Sequence, residues 1–379
     1  MRQLAFALTG AAAVALGTLG PSTAAAQDAT EKLSVHGYLT QGYAASDTLQ
    51  TMGINSQGTT DYRRAAILLR HASSEKDNFV VQLAHRRLGD SPAMAFESDV
   101  KLDWGFYERR FGGSSWLRVG KSPIPLGIYN ETRYVGQLLP FYRAPYSFYF
   151  EGSFTSETVD GLVASHTLFA DSPWSLSATA FGGNYDMLEF SYAPTGTNGA
   201  MEYYVAKAKA RNAAGAQLWL NTPLPGLRMG GGASRSTNSG GALRAPGTKE
   251  SASGWNGGLD ASFERFQLRG EYRTFVFDAA DYAGYYAQTG VKLRQGLWLN
   301  GQMEGIDVIL AASPSTGRPE LDLDFNRDYA VGLSYAANQN VTLKLEAHQQ
   351  QGYGYESYSN FMAEPPKARY VISSLSLAF

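Results

Sequence analysis

The sequence predicts an all-β fold, a transmembrane antiparallel β-barrel of about 16 strands whose third loop folds inward. Three observations predict it. Apolar and polar residues alternate with period two over segments of about ten residues, which is strand geometry long enough to cross a bilayer when tilted. The polar face of nearly every segment carries Arg, Lys, Glu or Asp. The connections between segments alternate short and long.

Composition narrows the classes. The 379 residues contain no cysteine, which removes disulfide frameworks and thiolate metal sites. With 32 Lys+Arg against 34 Asp+Glu the charge is nearly balanced, and no nucleic-acid partner is expected. At the N-terminus, Arg2 precedes a mostly apolar run from Leu4 to Leu19, and Ala24, Ala25 and Ala26 form a small-residue cleavage site. This layout predicts a signal peptide over residues 1–26, leaving 27–379 as the barrel. The run falls short of the ~20 apolar residues of a spanning helix, so export is expected over anchoring.

The alternation is plain in Trp255, Gly257, Leu259, Ala261 and Phe263, and again in Val341, Leu343, Leu345 and Ala347. Around 100–107 it places Val100, Leu102, Trp104 and Phe106 on one face, with Lys101, Asp103, Gly105 and Tyr107 opposite. A soluble β-sandwich would also alternate, but with shorter strands and without charge along one face of nearly every strand. Lipid outside and water inside fits better. Leu375, Leu377 and Phe379 give the last strand the same apolar face and a terminal aromatic.

The predicted strands are 33–43, 62–72, 78–88, 99–110, 115–121, 157–169, 173–184, 201–221, 226–236, 253–264, 266–277, 284–294, 297–309, 327–337, 340–351 and 367–379. Residues 201–221 count as one strand because Ala206, Ala208, Ala210, Ala214, Ala216, Leu218 and Leu220 keep one parity in the reading. Short turns such as SSEKDN, GGSS, ADSP and ANQN then interleave with longer loops, including 44–61, 122–156, 237–252 and 352–366.

Loop 122–156 is entered through WLRVGKSPIPLGIYNETR. Its Gly120-Lys121-Ser122 is not a P-loop: the first glycine of that motif would stand where Ser115 is, and Pro123 and Pro125 prevent the helix it needs. A loop of about 35 residues is expected to be functional, here as a constriction of a lumen too wide for side chains to fill.

HGYLTQGY, DYRRAAILLR and LRVGKSPIPLGIYNETR, with WLNTPLPGLRMGG more weakly, resemble the porin superfamily of Gram-negative outer membranes that includes the phosphate-selective porins O and P. The resemblance implies a sixteen-stranded barrel, commonly a homotrimer, with a constriction loop. Phosphate selectivity in that group goes with a lysine cluster, whereas here the third loop offers Lys121 alone.

Parity turns Arg64, Arg70, Arg86, Lys101, Arg109, Arg118, Lys207, Lys209, Arg211, Arg269, Arg273 and Lys344 toward the lumen. Asp103, Asp260, Glu264, Glu271, Glu304, Asp328 and Glu346 accompany them. Within the loop, Lys121, Arg133 and Arg143 face Glu131 and Glu151. The residues expected to line the pore and its constriction are Arg64, Arg70, Lys101, Asp103, Arg109, Arg118, Lys121, Glu131, Arg133, Arg143, Arg269 and Arg273. The basic excess predicts a weak anion preference.

Catalysis is not expected. His36, His71, His85, His166 and His348 fall on separate predicted strands without metal-ligand spacing, so neither a metal nor another cofactor is implied. About six residues separate the cleavage site from the first strand, too few for a plug domain. The expected function is passive diffusion of small hydrophilic solutes and inorganic anions across a lipid outer membrane. The alternatives are a non-conducting adhesin or structural barrel, and a phosphate- or oxyanion-specific channel.

Overall fold

The computed structural model describes residues 32–47, 49–150, 157–194, 201–241, 247–277, 280–312, 320–354, 356 and 364–379. The expected signal peptide and Glu151 lie outside the described residues. Sixteen strands form: β1 Leu33–Ser46, β2 Thr59–Ala72, β3 Asp77–Leu88, β4 Lys101–Phe111, β5 Ser115–Pro123, β6 Thr158–Leu168, β7 Ser175–Pro194 and β8 Met201–Asn221. The second half continues with β9 Leu227–Gly240, β10 Lys249–Ser262, β11 Phe266–Val276, β12 Ala280–Arg294, β13 Leu297–Leu310, β14 Leu321–Asn338, β15 Val341–Gly352 and β16 Lys367–Ala378.

Each strand pairs antiparallel with its chain neighbours, and β1 pairs with β16 from Tyr38↔Ala378 to Ser46↔Tyr370, closing the barrel. Closure satisfies every edge, which a sheet surrounded by hydrocarbon requires. At this seam Gly37 and Phe379 exchange two backbone hydrogen bonds of 3.0 Å, and the Thr40 and Ser376 hydroxyls meet inside at 2.9 Å.

The burial pattern is inverted relative to a soluble domain. Leu345 is 58% exposed and Val331 53% on the outer wall, while Asp328 and Gln350 are 0% exposed inside. An apolar outer wall is favourable only against lipid.

All sixteen expected strands occur, but several run further at the long-loop end. β7 continues to Pro194, β10 starts at Lys249, β12 at Ala280 and β14 at Leu321. Beyond the lipid both faces meet water, so the ladder goes on after the alternation fades.

Three expectations about facing fail, and two of them fail at bulges. In β4 the pairing with β3 steps from Leu83↔Leu102 to Gln82↔Trp104, skipping Asp103. Asp103 and Trp104 therefore both turn inward, Phe106 follows them, and Tyr107 goes outside to meet Phe79 at 5.2 Å. Arg109 thus lies on the outer side at the short-turn end, 3.4 Å from Asp77, and does not line the lumen. In β8 the ladder to β9 passes over Asn212 and Ala213 opposite the single residue Ser236, and Asn212 has φ 51°. Ala208 and Ala210 are buried inside, yet below the bulge Gln217 is inside and Leu218 outside. The alanines do not keep one face, and Lys207, Lys209 and Arg211 are exposed on the face opposite Ala208 and Ala210, where the Lys207 ammonium reaches the Phe96 ring of the connection after β3. Glu264 sits in the tight, exposed turn between β10 and β11.

At the long-loop end the connection after β1 forms a small bridge, Thr51↔Ile54. It is tied to the last connection by Glu356, which accepts hydrogen bonds from the Gly53 N–H and the Ser91 hydroxyl.

Candidate functional site

Just before the third loop, β5 passes Gly120 at φ 126°, where a Cβ would lie 2.4 Å from the Gly105 carbonyl oxygen. β5 continues through Pro123 with no helix after it, so the segment has no phosphate-binding turn. The Ile124 N–H donates to the Glu157 carbonyl at 2.9 Å, clasping the two roots of the loop. Ile124 and Leu126 pack on Val159, Val163 and Phe181, and from there the chain crosses the interior.

Six charged side chains of the far wall hold the crossing by its backbone. Glu271 of β11 accepts the Ile128 N–H at 3.0 Å, Glu304 of β13 accepts the Ser147 N–H at 2.9 Å, and Glu346 of β15 accepts the Tyr142 N–H. In the opposite sense Lys344 donates to the Phe141 carbonyl at 2.7 Å, Arg64 to the Tyr142 carbonyl at 3.1 Å, and Arg273 to the Phe148 carbonyl at 2.6 Å. Buried charges that meet peptide dipoles are stabilised without a counter-ion, each such bond contributing about 1.5–3 kcal/mol. Aromatics fill the remaining space: Tyr142 lies 4.8 Å from Tyr62, and Phe148 lies 6.0 Å from Tyr286. The loop touches the wall so closely that a Cβ on Gly284 would sit 2.0 Å from the Ser147 carbonyl oxygen. Burial pushes the Tyr149 hydroxyl well above the usual tyrosine range, keeping it a donor to Glu271.

The residues expected to line the pore divide into groups. Arg64 and Arg273 anchor the loop, as above. Arg133 and Arg143 belong to the loop and are buried: Arg133 donates to the Tyr149 carbonyl at 3.4 Å and Arg143 to the Tyr62 hydroxyl at 2.9 Å. Arg118 and Arg269 face the lumen toward the short-turn end as ion pairs, Arg118 with Glu108 and Glu131 (3.0 Å each) and Arg269 with Asp260 (3.0 Å). Arg70 also faces inward and meets Asn78 at 3.0 Å.

Lys101, Asp103 and Lys121 converge with Arg86 and Glu157 on a cleft of about 230 Å³. Phe96 and Glu97 of the connection after β3 close it on one side, and Asp186, Met187, Leu188 and Lys207 of the β7–β8 hairpin close it on another. Arg86 faces inward by parity and was legible. Phe96, Glu97 and Asp186 lie beyond the alternating segments and had no signal. A larger concavity of about 910 Å³, lined by Trp255, Val276 and Ile309, opens on the outer wall and not on the lumen.

His348 is enclosed by Asp328 at 2.9 Å and Glu346 at 3.2 Å and stacks on Tyr370 at 4.3 Å. Among the described residues no cluster of His, Asp and Glu could hold a metal ion.

No protein-family profile matches the chain, and no curated protein sequence matches it. Solved structures do. The chain is similar to OmpF of Salmonella typhi, with a TM-score of 0.59 and 10% identity over 92% of this chain and 97% of that one. It is similar to the outer membrane channel DcaP of Acinetobacter baumannii, with a TM-score of 0.58 and 8% identity over 92% and 97%. An anion-selective porin from Comamonas acidovorans gives a TM-score of 0.50 and 10% identity over 92% and 99%. The fold is therefore that of outer-membrane porin barrels.

Proposed function

We propose that the mature chain is an outer-membrane diffusion channel for small hydrophilic solutes, with a weak preference for anions and no catalytic step. The single observation that carries this reading is the third loop. It crosses the interior of a closed barrel, packs against one wall, and leaves the cation-bearing cleft beside its root. A loop that narrows a lumen without a catalytic constellation suits permeation. Residues 1–26 act as the export signal on this reading, and three copies assemble. A structure of Vibrio cholerae OmpT described as a trimer form is similar to the chain, with a TM-score of 0.54, which supports the trimer.

Planar-bilayer recording of the purified protein tests the proposal. Stable open steps are expected, with a reversal potential in a KCl gradient displaced modestly toward the chloride potential. A silent bilayer would leave an adhesin or structural barrel in its place, and clear potassium selectivity would sink the anion preference.

A further inference from the structure

The cleft has unequal walls. Its carboxylates are already engaged: Arg86 holds Asp103 at 2.7 Å and Glu157 at 2.8 Å, Lys101 holds Glu97 at 2.6 Å, and Asp186 lies 3.7 Å from Arg211. Two ammonium groups remain that meet no carboxylate within ion-pair distance among the described residues. Lys121 donates only to the Leu102 carbonyl, at 2.9 Å, and the Lys207 Nζ lies 5.5 Å from the centroid of the Phe96 ring. Phe96, Met187 and Leu188 give the same cleft an apolar side.

We propose that this cleft is a binding station for small organic anions with an apolar body, of which an aromatic monocarboxylate is the fitting class. The proposal rests on the channel reading and names the solutes that the channel would favour. The carboxylate accepts from Lys121 and Lys207, and the ring lies against Phe96, Met187 and Leu188. The volume is below the roughly 300–1,000 Å³ typical of sites for drug-sized ligands, so one ring and its carboxylate fill it. Inorganic phosphate would meet the lysines but leave the apolar side wet. A neutral ring would cover the apolar side but leave the lysines without a partner. Two partly hydrated ion pairs hold a solute only loosely, as a site on a permeation path must.

The test uses sodium benzoate, inorganic phosphate and benzyl alcohol as probes. Binding to the detergent-solubilised barrel is read by saturation-transfer NMR, and current block by bilayer recording. Benzoate is expected to bind and to block more strongly than either control. Exchanging both Lys121→Gln and Lys207→Gln should weaken benzoate about tenfold, the sum of two exposed ion pairs. Phe96→Ala should weaken benzoate and leave phosphate unchanged. Heat-modifiable mobility on SDS gels verifies that each variant keeps its barrel.

Equal block by phosphate, or benzoate binding indifferent to both the lysine and the Phe96 exchanges, would overturn the proposal. Channels that open in KCl but ignore benzoate also overturn it while leaving the channel reading intact. Benzoate binding to a barrel that never conducts would overturn the channel reading instead.

Discussion

From β11 to β16 and across the seam to β2, charged side chains hold the backbone of a loop; between β3 and β8 the same residue types meet other side chains around an open cleft. On the first side Glu271, Glu304, Glu346, Arg64, Arg273 and Lys344 bond to peptide groups of the crossing segment. On the second, Arg86 and Lys101 pair with carboxylates while Lys121 and Lys207 keep their charge open to the cleft. An inward charge therefore has two possible tasks, and what decides between them is whether backbone lies within reach of it. Where the loop passes, a lumen charge acts as a structural clamp. Where it does not, the charge pairs with other side chains or stands open to the cleft.

The comparison breaks most sharply at Glu271. Ile128, Tyr149 and Tyr286 all donate to this carboxylate, so Glu271→Ala removes the acceptor of three donors. The expected cost is about 3–5 kcal/mol, read as a lower denaturant midpoint together with larger and noisier single-channel steps. An unchanged midpoint would mean that the loop is not held by this wall.

Steric displacement comes next. Gly284→Val pushes a side chain into the Ser147 carbonyl and should cost about 1–3 kcal/mol, moving the loop toward the cleft and lowering conductance. If conductance instead stays the same or rises, the loop does not border the path.

A smaller effect belongs to the external junction at Glu356. Burial holds this carboxyl above its ordinary value of 4.5. The folded state therefore favours the protonated form, and that contribution is fully present below 4.5 and is lost as pH rises through the folded value. Protection of residues 50–56 against hydrogen exchange should increase on acidification, and Glu356→Gln should flatten that dependence. Protection that falls toward low pH would contradict the assignment.

The smallest effect is expected for Arg109→Ala. Arg109 stands half exposed on the outer side at the short-turn end, so stability should change by less than about 0.5 kcal/mol and the reversal potential not at all. A shifted reversal potential would return Arg109 to the lumen.

Much of this was legible because lipid and water impose a period of two on every strand they separate. The strand count, the closure and the inward charges of β2, β11, β13 and β15 all follow from it. What parity cannot register is a bulge. Asp103 adds one residue to β4 and reverses everything after it, which is why Arg109 was expected on the wrong side. The bulge at Asn212 and Ala213 does the same within β8, and it carries no proline or glycine to mark it. The loop anchors were recognisable as inward charges, but their task depends on where the third loop lies. That in turn depends on contacts such as Arg143 with Tyr62, 81 positions apart in the chain.

The seam between β1 and β16 has a consequence for assembly. Thr40 and Ser376 meet across 336 positions, so the last ladder joins two segments from opposite ends of the described chain. Every other ladder joins consecutive strands and can zip locally, while this one bears the largest loop-closure entropy. Until it forms, the sheet has two open edges that can pair with another chain. A growing curved sheet is therefore expected first and a ring last. Substitutions at the seam should show themselves less in the finished channel than in the yield of closed barrels.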